Sequence, residues 1–467
     1  MSASRFTRAS RRTSAVTRHG GAIFSERSYY QLRAGPVPRR PALRGTVEAE
    51  IGIVGGGLAG LATALSLAER GARPVLLEAR TIGSGASGRN GGMVSAGFAA
   101  SLPALERRVG PDAAVRLMQR SREAIELIRR RVERYRIACE PVDGVVIASW
   151  FDEAPSLRAE VAELNARLGM RLEFWPRERL RAAYPSPRYW DGIFDPEGLH
   201  LDPLALARGY ADAAERAGAV LHEDSPALAL ERRNDGWQAR TPEGLLRVRR
   251  LVLCQSAYPP PVLPRLARAT LPVFTYVVVT EPLRGSHAEV IKAPYAVHDT
   301  RFATGYYRLL RDGRLLWGGR ISVRERPRDL ERLMRRDLAL VYPQLADVPF
   351  AHGWSGRMGF TRHKMPVIRE LAPGLWVNTG YGGHGLNTTT MGGEILAAAF
   401  AGEVADLRLL EPFTPRWVGG HLGRLAAQAI YWRHMAGDAL RAAWQRRREA
   451  RRSRAAEPPG PSQDQGS

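Results

Sequence analysis

Cysteine is almost missing: Cys139 and Cys254 are the only two in 467 residues, and they form neither a C-x-x-C pair nor any other metal-ligand spacing. That excludes a disulfide-stapled scaffold and a structural zinc site; no metal is expected, and a reducing cytoplasm suits the chain. Lysine is equally scarce, at positions 292 and 364 alone, so nearly all positive charge is arginine. No apolar run approaches the ~20 residues of a membrane-spanning helix, and the N-terminus lacks the apolar segment of a secretory signal. A cytoplasmic protein without a membrane span is therefore expected. What is present, 44% hydrophobic and 25% charged residues, is the composition of a globular protein, with length for about two or three domains.

The net charge of +22 is concentrated at the ends. Residues 1–45 hold ten Arg against one Glu, and residues 441–454 hold seven Arg against one Glu. No stacking aromatics interleave with these tail arginines, so nucleic-acid binding by the arms is not expected. Residues 1–45 are expected to form a basic, largely disordered arm.

The strongest pattern lies at residues 50–92. An apolar run (Ile51, Ile53, Val54) meets Gly55-x-Gly57-x-x-Gly60, a helical stretch with Leu61, Leu65 and Ala68 on one face ends at Gly71, and a second apolar run, Val75-Leu76-Leu77, closes on Glu78. This is a βαβ unit of the ~30 residues a dinucleotide fold uses. The first glycine permits the tight turn, the second lets the backbone approach a pyrophosphate, and the third lets helix pack on strand. A pyrophosphate would then meet the positive end of the helix dipole. Glu78 stands where an acid accepts from ribose hydroxyls. The stretch Gly83 to Gly92 that follows must be a loop.

Further on, Leu251-Val252-Leu253-Cys254 reads as a strand buried on both faces, so the nucleotide-binding sheet is assembled from separated parts of the chain. Residues 272–280, 305–311 and 314–323 read as strands of an antiparallel sheet. A second G-x-G-x-x-G, at 380, 382 and 385, has no following strand that ends in an acid, and reads as a glycine turn aiming a helix at a ligand. The fold class is α/β: a Rossmann-like domain from segments 46–100, 200–270 and 345–415, with an α+β substrate domain, carrying the antiparallel sheet, from 101–199 and 271–344. A C-terminal helix and polar tail, 416–467, follow, the helix spanning 415–444 and the tail 445–467.

These pieces resemble the FAD-dependent amine oxidoreductases of the D-amino-acid oxidase superfamily over roughly residues 28 to 440. The resemblance rests on SerTyrTyr at 28–30, IVGGGLAGLATALSLAERG at 53–71, LLEARTIGSGASGRNGG at 76–92, TEPL at 280–283, GGR at 318–320 and GYGGHGLNTTT at 380–390. It implies FAD as cofactor, with Gly55, Gly57 and Gly60 at the pyrophosphate and Glu78 at the adenosine ribose. Ser87, Gly88, Arg89, Asn90 and Gly91 would lie by the flavin ring, and Gly382, Gly383, Gly385 and Leu386 at its pyrimidine edge. A helix beginning near Asn387 would stabilise negative charge on the reduced ring.

Two departures from relatives matter. Where related sarcosine oxidases tether flavin through cysteine, this chain has Gly356, and no His stands in the 87–92 loop, so FAD is expected to be non-covalent. Where those relatives carry a carboxylate-binding lysine two residues after GHG, this chain has Asn387, which points towards an amine. His363 in Thr361-Arg362-His363-Lys364-Met365-Pro366 has no role legible in the sequence.

The implied reaction is oxidation of a C–N bond in a polyamine, a gamma-glutamylated amine or a secondary amine, by hydride transfer to flavin. Imine hydrolysis and reoxidation by O2 or another acceptor follow. The cofactor carries the chemistry, so no acid–base triad is required; His384 is the catalytic candidate. Tyr276, Tyr306, Tyr307, Arg308 and Trp354 are candidates for the substrate pocket, where tyrosines can box a cation. Adjacent Tyr306 and Tyr307 must face opposite ways. Two other readings share the sequence: a D-amino-acid dehydrogenase passing electrons to a quinone, and a flavin-dependent RNA-modifying or RNA-binding protein using the Arg-rich tails.

Overall fold

In the computed structural model, residues 23–258, 262–302 and 304–456 are described. Two sheets organise them. The first runs in the spatial order Val367–Ala372, Leu375–Thr379, Gly244–Leu253, Gly45–Val54, Val75–Leu77, Val220–His222. Its last five strands are mutually parallel. Only the Ile51–Val54 end of its central strand is fully buried, because that end alone has a short apolar strand on one side and the Leu251–Leu253 run on the other. The helix Leu58–Ala68 is buried on every side; a helix apolar all round belongs inside a fold.

The second sheet runs Phe350–Phe360, Leu271–Pro282, Arg314–Ser322, Tyr306–Leu309, Ala296–Asp299, Val142–Ala148, Gly192–His200, Met93–Val94. One face packs on the helix Leu330–Val341 through Tyr276, Tyr307, Trp317, Met334 and Leu338. The other face, with Tyr306, Leu316, Val277, Val279 and Trp354, looks towards the parallel-sheet domain and meets Tyr30 and Leu204.

Four expectations change at the boundaries. Phe350–Phe360 is paired along its length with Leu271–Pro282, so the chain returns to the parallel sheet only after residue 360, not at 345. Met93–Val94 likewise belongs to the antiparallel sheet. Residues 23–45 are ordered: Ser28 closes a capping box with Gln31 on the helix Tyr29–Ala34, and Tyr30 is buried. The disorder expected of residues 1–22 lies outside the described residues. The C-terminal helix runs Gly420–Ala456, past residue 444, because Arg, Glu and Ala are all good helix formers; the tail beyond 456 lies outside the described residues.

Candidate functional site

Strands 45–54, 244–253 and 375–379 are adjacent and parallel, so the turns that follow Val54 and Thr379 open on the same carboxyl edge. That edge is where open α/β sheets bind ligands. The two helices leaving these turns, Leu58–Ala68 and Gly385–Phe400, touch at their backbones: a Cβ on Gly393 would lie 2.5 Å from the Ala62 carbonyl carbon. Asn378 Nδ2 also donates to Thr63 Oγ1 at 3.0 Å. The two glycine-rich segments, 325 residues apart from 55 to 380 in the chain, are thus held side by side.

The first turn has the shape a dinucleotide needs. Gly55 has φ +115°, and a Cβ on Gly60 would collide with the Gly55 carbonyl oxygen. A Cβ on Gly57 would meet only Ser87 Oγ, at 3.0 Å, so its outer side is open. Ser87 Oγ accepts from Leu58 N at 2.8 Å, joining the 87–92 loop to the helix start. Glu78 closes the second strand and accepts from Gly56 N at 2.7 Å and Arg80 N at 2.9 Å. Burial raises its pKa, only partly offset by those two amides. A half-buried carboxylate with two donors for two oxygens has lone pairs left for a diol. These features fit the adenosine diphosphate half of FAD.

The 87–92 loop is tied from several directions. Ser28 Oγ donates to Gly88 O at 2.9 Å and Tyr30 Oη to Asn90 O at 3.0 Å. Asn90 Nδ2 donates to Ala86 O and Ser87 O, and its Oδ1 accepts from Gly92 N. Arg89 Nε donates to Ser355 O at 2.7 Å, and Trp354 Nε1 donates to Arg89 O at 2.8 Å. The Tyr306 ring fills a slot between Gly91 and Gly318: a Cβ on Gly91 would be 2.6 Å from Tyr306 Cε2, and one on Gly318 would collide with the ring. The second glycine turn is stapled to the same sheet, with Gly382 N donating to Gly359 O at 3.0 Å and Tyr381 bridging Phe360. A cleft of about 1070 Å³ separates the domains, lined among others by Arg80, Ser84, Arg89, Tyr258, Ser355 and Arg357.

The pocket candidates divide by sheet face. Tyr307 lies opposite the 87–92 loop, its hydroxyl 2.6 Å from that of Tyr342 and its ring stacked on Trp317. Tyr276 shares that core and donates to Arg324 O. Neither faces the parallel-sheet domain, since strand alternation turns both into the outer core. Arg308 is on the inner face but spent: Nε donates to Gly91 O at 2.7 Å, and Nη2 donates to Leu201 O at 2.8 Å and Tyr30 Oη at 3.1 Å. Trp354 is 0% exposed and acts through its bond to Arg89. Of the five, Tyr306 alone stays half-buried on the inner face.

His384 immediately precedes the helix Gly385–Phe400 and is half-buried. Burial lowers its pKa to about 4, and the nearby charge of His298 adds to the effect. His298 was not singled out by sequence because its strand, Ala296–Asp299, is four residues long and carries no turn signal; it is the cross-strand partner of Tyr306 and shares its face. Burial lowers its pKa as well. Tyr306 and His298 thus share the inner face, His384 lies near His298, and burial favours the neutral form of both imidazoles. Asn387 faces elsewhere, with Nδ2 donating to Ser121 O at 3.1 Å and Ser121 Oγ at 3.0 Å.

His363 has a structural place. Met365 N donates to its Nδ1 at 3.2 Å, which puts the ring proton on Nε2, and Nε2 donates to Thr414 O at 3.1 Å. The ring ties the turn before Val367–Ala372 to the segment beyond the last nucleotide-domain helix. Lys364 is exposed.

A parallel sheet with a glycine-turn helix, a terminal acid and an antiparallel sheet closing over its carboxyl edge defines a two-domain flavin-dependent oxidoreductase. The comparisons agree. Residues 50–399 match the model of the DAO family, FAD-dependent oxidoreductases, and the chain belongs to that family; its cofactor is FAD. It is 33% identical over 380 residues to gamma-glutamylputrescine oxidoreductase of Escherichia coli (strain K12), covering 80% of this chain and 89% of that protein. It is 31% identical over 405 residues to a probable oxidoreductase, OrdL, of Haemophilus influenzae, covering 85% and 93%. The fold matches the crystal structure of glycine oxidase from Bacillus cereus with TM-score 0.64, 20% identity, and coverage of 77% of this chain and 97% of that one.

Proposed function

We propose that the enzyme oxidises a C–N bond of an amine lacking a free α-carboxylate next to the reacting carbon, such as a polyamine or a gamma-glutamylated amine. The observation that carries this reading is the commitment of the two guanidinium groups tied to the 87–92 loop. Arg308 is spent on Gly91 O, Leu201 O and Tyr30 Oη, and Arg89 on Ser355 O and Glu26 O. Asn387, where a lysine would clamp a carboxylate, is bonded to Ser121. An α-carboxylate entering the chamber would find no free guanidinium or ammonium among these, and burying an unpaired anion is costly. The similarity to a gamma-glutamylputrescine oxidoreductase supports the same substrate class.

FAD, when bound, supplies the hydride acceptor. The chain's own residues do the rest. Gly55, Gly57, Gly60 and Glu78 would hold the nucleotide half, non-covalently, and the 87–92 loop and the 382–386 turn would hold the ring. Tyr306 places an aromatic face where an amine's alkyl part or cation can rest. His298 and His384, both uncharged, leave a substrate ammonium unrepelled and can accept its proton-bearing N–H as hydrogen-bond acceptors. Tyr30, Trp354 and Leu204 pack behind the loop and keep water from that side.

The test is flavin bleaching without oxygen. A panel of polyamines, gamma-glutamylated amines, N-methyl amino acids and D-amino acids is mixed with the purified holoenzyme. Rapid bleaching by the first two groups is expected. Bleaching by D-amino acids alone would overturn the assignment.

A further inference from the structure

The helix Gly420–Ala456 docks on the body by its polar side. Gln428 Oε1 accepts from Val323 N at 3.1 Å, and Tyr431 Oη accepts from Ile321 N at 3.1 Å. Asp438 accepts from Phe302 N at 2.9 Å, Arg441 pairs with Glu153 at 2.6 Å, and Glu449 pairs with Arg177 at 2.6 Å. These positions are spaced three, seven, three and eight residues apart, close to one or two helical turns, so they form one face of the helix. The opposite face is apolar and open: Leu422, Leu425, Trp432, Leu440 and Trp444 are 75%, 66%, 64%, 72% and 59% exposed. Ordinary surface helices do the reverse. The segment lies beyond the 50–399 span of the family match.

Charge decides what covers this face. Residues 420–451 contain seven arginines and two acids, and both acids, Asp438 and Glu449, are held inward. Arg433, Arg447, Arg448 and Arg451 are exposed and fall on the same side as Leu422 and Leu440 by helical spacing. Among the described residues none of the four pairs with a carboxylate. A second copy of this helix would bring no acid to meet them, and would set cation against cation or cation against leucine. An anionic lipid surface meets both halves of the pattern: Leu and Trp enter the headgroup–acyl boundary, and the arginines meet lipid phosphates. No helix of the described residues is long and apolar enough to cross a membrane, so the contact is peripheral.

We propose that the outer face of the helix Gly420–Ala456 docks the enzyme on an anionic membrane surface. The test is co-sedimentation of full-length holoenzyme with vesicles of phosphatidylcholine alone or mixed with phosphatidylglycerol, at low and high salt. Binding is expected to the mixed vesicles, at least tenfold weaker to phosphatidylcholine, and reduced by salt. The double variant Leu425→Glu, Trp432→Glu should abolish binding. Arg447→Glu with Arg448→Glu should remove the preference for the anionic lipid. Retained flavin absorbance and amine turnover certify that both variants are folded. Failure of the parent enzyme to sediment with anionic vesicles at low salt overturns the proposal. So does a lipid-free dimer that Leu425→Glu, Trp432→Glu converts to monomer, because the face would then be covered by a second copy.

Discussion

Arg308 Nε donates to the Gly91 carbonyl at 2.7 Å, a bond that runs from the antiparallel sheet of one domain to the glycine loop of the other. The same side chain reaches Leu201 O and Tyr30 Oη, so one buried cation fixes the loop, the chain after Gly192–His200 and the N-terminal helix together. Arg308→Leu leaves two buried carbonyls without donors, a loss of about 3 kcal/mol. Urea unfolding should show it, together with weakened FAD retention. Arg308→Lys should recover only part, since an ammonium lacks the planar fork of donors. A stable, FAD-loaded Arg308→Leu enzyme with lost turnover would assign the residue to substrate instead.

Much of the nucleotide-binding half was legible because its signals are local. Gly55, Gly57, Gly60, the helix after them and Glu78 fall within one βαβ unit, and period-2 alternation alone says that Tyr306 and Tyr307 part ways. What could not be read are the relationships between distant segments. Arg308 reads as a pocket candidate in sequence, because the carbonyls it satisfies, Gly91 O and Leu201 O, are backbone groups with no side-chain signature. Tyr276 and Tyr307 look like pocket aromatics until the second core behind the sheet, with Trp317 and Tyr342, comes into view. His363 was unreadable because its partner, Thr414 O, lies 51 residues on.

Glu78 is expected to govern FAD affinity. Its carboxylate already accepts two amides, and a ribose would complete it. Glu78→Gln exchanges a charge-assisted acceptor for a neutral amide, worth about 1.5–3 kcal/mol, so the FAD dissociation constant should rise about 10- to 100-fold. Fluorescence titration of the apoprotein measures it. An unchanged affinity would place the ribose elsewhere.

The cofactor should leave on denaturation. Gly356 has no nucleophile, and a Cβ built there would meet Arg89 O at 3.5 Å. Cys139 and Cys254 are both buried, with burial pushing each thiol up to about 12, so neither is a ready thiolate. Acid precipitation is expected to release all yellow colour to the supernatant. Colour kept in the pellet would show a covalent tether.

His200 makes stability depend on pH. It is 2% exposed, Nε2 donates to Pro294 O at 2.9 Å, and burial next to Arg308 lowers its pKa from 6.5 to about 4. The unfolded chain therefore takes up the proton first as pH falls. The stabilisation is fully present above pH 6.5 and is lost progressively towards pH 4, by roughly 3 kcal/mol in all. His200→Gln keeps a donor for Pro294 O without the titration. Chemical unfolding of both proteins at a series of pH values should show a shallower decline for the variant across that window. Parallel curves would mean that folding leaves the titration of this imidazole unchanged.

His384 should stay neutral throughout turnover. Its pKa is lowered from 6.5 to about 4 by burial and then by His298, and no carboxylate is among the causes of either shift other than Asp299 beside His298. A neutral imidazole cannot supply the acid limb of a rate profile near pH 6.5. That limb must come from the substrate, whose amine has to lose its proton before a hydride can leave the adjacent carbon. The kcat/KM profile is therefore expected to rise towards the amine's own pKa, to shift when an amine of different basicity is used, and to show no inflection between pH 6 and 7, a window about the ordinary histidine pKa. His384→Asn should lower kcat/KM without moving the limb. An inflection near pH 6.5 that disappears in His384→Asn would mean that this histidine titrates in the working enzyme and takes the amine's proton itself.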